Sequence, residues 1–142
     1  VNGTTFMEPL DSPFEAVERI LAREEGKYDF ALLDIHAEAT SEKLAIAHVF
    51  DSRIAIMFGT HTHVPTADEG VLPRGSGYIT DLGMSGPVNS ILGTKIEAVL
   101  TKMRYHMPAH FTVAEGEIAI CGALFCVDPS TGKCAGVERV KF

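Results

Sequence analysis

Three of the six histidines occupy places where imidazoles do chemistry. His36 follows an apolar run, Tyr28 to Ile35, and His61 and His63 follow a second one, Arg53 to Gly59. Both runs have the length and composition of buried strands. In open α/β sheets, ligands gather outside the carboxyl ends of strands. A His-x-His pair in extended backbone would send both imidazoles to one side, because side chains alternate with period two. If the two strands are neighbours, His36 reaches the same pocket. Converging neutral imidazoles suit a transition metal such as iron, manganese or zinc. A single strand-end histidine is ordinarily a polar residue satisfied by backbone, so the convergence carries the metal reading. His48, in mid-helix, and His106 and His110, flanking Pro108, lack that setting and read as structural.

The nearby carboxylates are Asp34, Glu38, Glu42, Asp68, Glu69 and Asp81. Asp34 stands two residues before His36 and would point the same way along a strand, as an acceptor for an imidazole N–H. Glu42 reads as helix-dipole decoration, and Asp81 as a residue that orients a histidine or braces its loop. Their spacing gives none of them a specific role. Nucleophile-elbow, Walker and dinucleotide-fingerprint patterns are absent from this sequence. Cys121, Cys126 and Cys134, at gaps of four and seven residues unlike those of zinc ribbons, read as reduced thiols.

The elements that must position these residues follow from periodicity. Val1 to Met7 reads as a strand. Ser12-Pro13-Phe14-Glu15 opens a helix whose Phe14, Val17, Ile20 and Leu21 form one stripe. Thr40 caps a helix running to Phe50. From Val64 to Gly93 the chain is rich in Gly, Pro, Asp and Ser, with only Gly77 to Thr80 strand-like, and a loop of that length is usually functional. Thr94 to Glu97 reads as a capping box, opening a helix with Ile96, Val99, Leu100 and Met103 inward. His110 to Val113, Glu117 to Val127 and Ala135 to Phe142 read as antiparallel strands, the middle one apolar on both faces and therefore internal to a sheet.

The result is an α/β fold with helices covering a mixed sheet, in one domain over residues 1–142. The composition, 46% hydrophobic and 22% charged, is that of a globular chain able to bury its own core. A formal charge of −7, with no basic cluster, argues against duplex nucleic acid as a partner. No apolar run approaches the ~20 residues of a membrane span, and a cytoplasmic location is the expectation.

The segments DIHAEATSEK (Asp34 to Lys43), GTHTHVPTADE (Gly59 to Glu69) and YITDLGMSGP (Tyr78 to Pro87) carry a resemblance. The sequence resembles the YmdB-like metallophosphoesterases, a branch of the calcineurin-like superfamily, over nearly the whole chain. The Gly-Thr-His-Thr-His run looks like this branch's form of a Gly-His-x-His signature. The resemblance implies a four-layer α/β/β/α sandwich with mixed sheets and a dinuclear centre of two divalent transition metals, iron or manganese before zinc. It implies hydrolysis of phosphodiesters, with 2′,3′-cyclic nucleotides a substrate class. His36 and His61 would bind one metal and His63 the other.

The match extends only to the C-terminal half of the family's domain. By resemblance, the other ligands and the histidine that protonates the leaving oxygen lie outside these residues, so no catalytic residue is assigned here. Open strand edges and an uncovered apolar face are expected, with self-association or pairing with an N-terminal half as the outcome. The alternative from another class is a non-catalytic metal-binding or regulatory module, and a further one is a partner-binding fold with structural histidines.

Overall fold

The computed structural model describes residues 1–142. The tertiary contacts fall into two compact units, residues 1–83 with 122–140, and residues 84–121 with 141–142. The histidines of interest all belong to the first.

The larger unit is a mixed α/β layer structure. Helix α1 (Pro13–Glu24) leads into β1 (Leu32–His36), α2 (Thr40–Phe50) and β2 (Ile56–Thr60), then β3 (Gly70–Val71) and β4 (Gly77–Ile79). The sheet order is β1-β2-β4-β3, with β1, β2 and β4 parallel and β3 antiparallel. Ser12 stands at the N-cap of α1 and Pro13 at its first position, where a missing N–H costs nothing. In β1 burial alternates: Leu33 and Ile35 are buried, while Leu32, Asp34 and His36 face outward. Leu33, Ile35, Met57 and Tyr78 join Val17 of α1 and Ile46, Ala47 and Phe50 of α2 in one core. Both helices therefore cover the sheet face that Asp34 and His36 do not use.

The opposite face receives the hairpin of β7 (Cys121–Val127) and β8 (Cys134–Lys141). It lies so close to β4 that a Cβ on Gly77 would stand 2.6 Å from Cys134 Sγ and 2.8 Å from Phe125 Cδ1. Glycine is thus required there by close approach. The smaller unit holds β5 (Gly86–Pro87), α3 (Ile96–Tyr105) and β6 (Ile118–Ala119), with β5 antiparallel to β6. No helix is long and apolar enough to cross a membrane.

Several expectations change. Val1 to Met7 is cut to a single parallel bridge, Asn2 to His36, held by Gly3 N–H to His36 O at 2.9 Å and His36 N–H to Val1 O at 2.9 Å. Both central strands begin later than expected, at Leu32 and Ile56, and His36 is the last residue of its strand rather than the residue beyond it. The cap of α3 is Lys95, because Thr94 is occupied in backbone bridges with Ile91 and Val113. Of that helix's supposed inner face only Val99 is buried, and Met103 is exposed. The apolar run Glu117 to Val127 is not internal to a sheet. Its seven-residue strand pairs with β8 alone, and Ile118, Ile120 and Leu124 face solvent. His110 to Val113 forms no strand, since only Val113 makes a bridge.

Candidate functional site

Because β1 and β2 are parallel with His36 opposite Thr60, the end of one strand and the turn after the other share one edge of the sheet. That register sets the site. Thr60 Oγ1 donates to Asp34 Oδ1 at 2.9 Å and lies 3.0 Å from His36 Nδ1. A hydroxyl has one proton, and here it goes to the carboxylate. His36 Nδ1 must therefore be the N–H donor, which leaves Nε2 of the neutral ring as its free lone pair. Nε2 faces His61 Nδ1 at 3.1 Å, with the two rings edge to face and their centroids 4.8 Å apart. On its other side His61 Nε2 meets Glu38 Oε2 at 2.9 Å.

Asp34 thus acts on His36 through Thr60 rather than directly. Glu38, to which spacing assigned nothing, is a partner of His61. The histidine pair of the turn is not extended. His61 has φ +98° and His63 +67°, both in the region that favours glycine. The alternation that would carry the two rings to one side does not operate there. His61 turns toward His36, whereas His63 stands exposed at the turn with no partner among the other histidines.

Behind the turn lies a buried ion pair. Lys43 of α2 (0% exposed) and Asp81, just beyond β4 (1% exposed), meet at 2.9 Å. Lys43 Nζ also donates to Thr60 O at 2.7 Å. Asp81 Oδ2 further accepts Thr62 N–H at 3.1 Å and Thr62 Oγ1 at 2.7 Å, and Oδ1 accepts Gly83 N–H at 2.9 Å. Burial pushes the Asp81 carboxyl up, but Lys43, the Thr62 hydroxyl and the Gly83 and Thr62 N–H groups prevail and hold it below the ordinary value. Asp81 therefore braces the loop. Glu42 is also more than dipole decoration, since it is buried and accepts from Thr4 N–H at 2.8 Å and Thr4 Oγ1 at 3.2 Å. Lys43 is the residue that spacing missed. The signal was its place at the head of the stripe Lys43, Ile46, Ala47, Phe50, which is the buried face of α2.

The two imidazole nitrogens, 3.1 Å apart, suit neighbouring donors on one ion, since bonds of about 2.0–2.1 Å place adjacent ligand nitrogens roughly 3 Å apart. No group of three or more His, Cys, Asp or Glu side chains is gathered for a metal. The residues present fit part of one ion's ligand set and do not by themselves fit a dinuclear centre.

A mixed α/β sheet with imidazoles at the carboxyl ends of adjacent parallel strands defines a class of proteins that bind ligands at that edge. The comparisons narrow it. The family described as YmdB-like protein matches residues 1–140, and the chain belongs to that family. It is 42% identical over 140 residues to a 2′,3′-cyclic-nucleotide 2′-phosphodiesterase of Bacillus subtilis, matching 99% of this chain and 53% of the relative. A crystal structure of a hypothetical protein from Thermus thermophilus superposes with TM-score 0.91 at 41% identity, over 100% of this chain and 55% of that one. A novel phosphatase from Mycoplasma pneumoniae gives TM-score 0.90 at 35% identity, over 100% and 51%. The chain spans about half the length of the relatives it matches.

Proposed function

We propose that this chain is the histidine-bearing part of a metal-dependent phosphoesterase that hydrolyses phosphodiesters, 2′,3′-cyclic nucleotides being the substrate class carried by the named relative. The observation that supports it most is the run of contacts from Asp34 through Thr60 to His36 Nδ1. A carboxylate, a hydroxyl and a ring nitrogen in series orient the imidazole so that Nε2 faces the edge shared with His61. Metal-ligating histidines are commonly oriented in this way, with the other nitrogen donating. In this reading His36 and His61 supply two donors to one divalent ion, iron or manganese before zinc, and His63 serves a second. The ligands still needed come from outside these residues. Bound metal would supply the Lewis acidity that phosphoester hydrolysis requires. This chain's own part is to fix the His36 ring through Nδ1, so that Nε2 points to the edge where His61 is set beside it.

The same reading gives the whole domain a four-layer α/β/β/α sandwich. The helices on one face of the sheet and the β7–β8 hairpin on the other are the layers that support it. It also proposes a covering partner, a second copy or the rest of the domain. Leu124, 56% exposed on a strand paired on one side only, supports that.

The test is metal content by plasma mass spectrometry, with hydrolysis of 2′,3′-cyclic AMP, for this chain combined with the part of the domain that supplies the remaining ligands, and for the same assembly carrying His36→Ala or His61→Ala. Bound manganese or iron that is lost in both variants, with hydrolysis reduced more than about 100-fold, is expected. Metal bound and lost in this way without any hydrolysis would favour the non-catalytic module. Metal content and hydrolysis indifferent to both substitutions would overturn the reading.

A further inference from the structure

His61 holds a backbone conformation that a β-carbon disfavours, yet glycine is not used there. Its φ of +98° is strained for a residue with a side chain, and such a conformation persists only when its surroundings over-determine it. The surroundings are specific. The peptide group before His61 is held through Thr60 O by Lys43 Nζ at 2.7 Å. The peptide group after it is held through Thr62 N–H by Asp81 Oδ2 at 3.1 Å. One buried ion pair grips both peptide planes that flank the residue, and the two torsions of His61 lie between those planes.

Neighbouring bonds close the frame. Leu82 N–H donates to Gly59 O at 3.0 Å, and Thr66 N–H donates to Asp81 O at 3.1 Å. The turn from Gly59 to Thr66 is thereby tied at both ends to residues 81–82. Lys43 reaches it only because Gly59 has no side chain, since a Cβ there would lie 2.7 Å from Lys43 Cδ.

We infer that Lys43 and Asp81 are positioning residues for His61, a buried ion pair whose task is to impose the strained turn that aims the His61 ring at His36 Nε2. A pair of this kind contributes little net stability when compared with apolar residues of similar size, so specificity of conformation is what remains for it to supply. The effect on metal binding rests on the function proposed above, whereas the effect on ring geometry does not.

The decisive variant is Lys43→Met/Asp81→Asn, which removes both charges together and leaves neither one buried alone. Two readouts are taken on the full chain, the nuclear Overhauser contact between the His36 and His61 rings and the affinity for Zn²⁺ in a calorimetric titration. Thermal unfolding reports that the variant is folded. Loss of the ring contact with a roughly 10–100-fold weaker zinc affinity is expected. Loss of the contact with zinc affinity unchanged would support the positioning role and overturn the metal reading. A folded variant that keeps the contact would overturn the inference, whatever zinc does. If the double variant does not fold, Lys43→Gln/Asp81→Asn keeps a neutral polar pair in the same place but shortens the arm that reaches Thr60 O. A few-fold shift of both readouts supports the inference, and no shift in either overturns it.

Discussion

Gly59 and His61, two positions apart, divide the demands of the turn between them. Gly59 lies where three segments converge, and a Cβ there would overlap Thr80 O as well as press against the Lys43 stem. The first neighbour is backbone and cannot rotate away. Gly59→Ala must therefore push β2 from the residues that follow β4, and a loss of about 3 kcal/mol is expected, the upper end of the usual cost of overpacking. Urea denaturation monitored by circular dichroism measures it, and a loss below about 1 kcal/mol would mean that the strands separate without penalty. His61 makes the opposite choice, keeping its side chain and accepting strain. The sequence motif marked both residues as important but assigned them to an extended strand end. Positive φ at two histidines cannot be read from a Thr-His-Thr-His string, because the force that imposes it comes from Lys43 and Asp81, 18 residues before and 20 after His61.

At the scale of elements, what was legible is what local periodicity controls. The proline-started helix, the two apolar strands and the helix from Thr40 to Phe50 stand close to where spacing put them, and their order brought His36 and His61 to one edge. What failed depended on partners. The Glu117 to Val127 run has the composition of an internal strand, but burial on both faces needs neighbours on both sides, and β7 has only β8. The turns that join the elements were equally hidden. Asp51, at the C-terminal cap of α2, is buried and accepts Arg74 N–H at 2.8 Å and Ser76 N–H at 3.1 Å. Ser76 Oγ in turn accepts Ser52 N–H at 2.8 Å and donates to Ile54 O at 2.6 Å. One carboxylate and one hydroxyl thus lock the α2–β2 turn against the β3–β4 turn. Asp51→Ala strands two backbone donors, one of them in a buried bond, and should cost about 3 kcal/mol by chemical denaturation. The exposed, bidentate pair of Arg53 and Glu18, at 2.6 and 2.7 Å, offers the contrast. Its removal should cost far less because solvent screens it, and equal losses at the two sites would contradict the role given to Asp51.

For the molecule as a whole, hydrogen-bonded carboxylates and one buried phenol set a pH window. Burial raises the carboxyls of Asp51, Asp68 and Asp81, but their hydrogen bonds outweigh it and all three end below the ordinary 3.8. The donors are Arg74 and Ser76 for Asp51, Thr66 and Thr80 for Asp68, and Lys43, Thr62 and Gly83 for Asp81. A depressed carboxyl binds fewer protons when folded than when unfolded. Its contribution is therefore present above the ordinary value and lost as pH falls through the lower folded values. Tyr78 sets the other limit. Burial, aided by the charges of Asp68 and Asp81 and opposed by its bond to Thr80, pushes its hydroxyl from 10.0 up to about 12. There the folded state holds the proton more tightly, so stability is full below about pH 10 and declines as pH rises toward about 12, by on the order of 2–3 kcal/mol. Denaturation midpoints should accordingly form a plateau that drops at both ends. Tyr78→Phe should flatten the alkaline descent and leave the acid one, because the three aspartates keep their partners, apart from the Tyr78 contact at Thr80. A wild-type midpoint that holds steady from about pH 9 to 12, or an alkaline descent unchanged in Tyr78→Phe, would show that the buried phenol does not couple to folding. A midpoint insensitive to acid from about pH 5 to 2 would say the same of the carboxylates that frame the histidine turn.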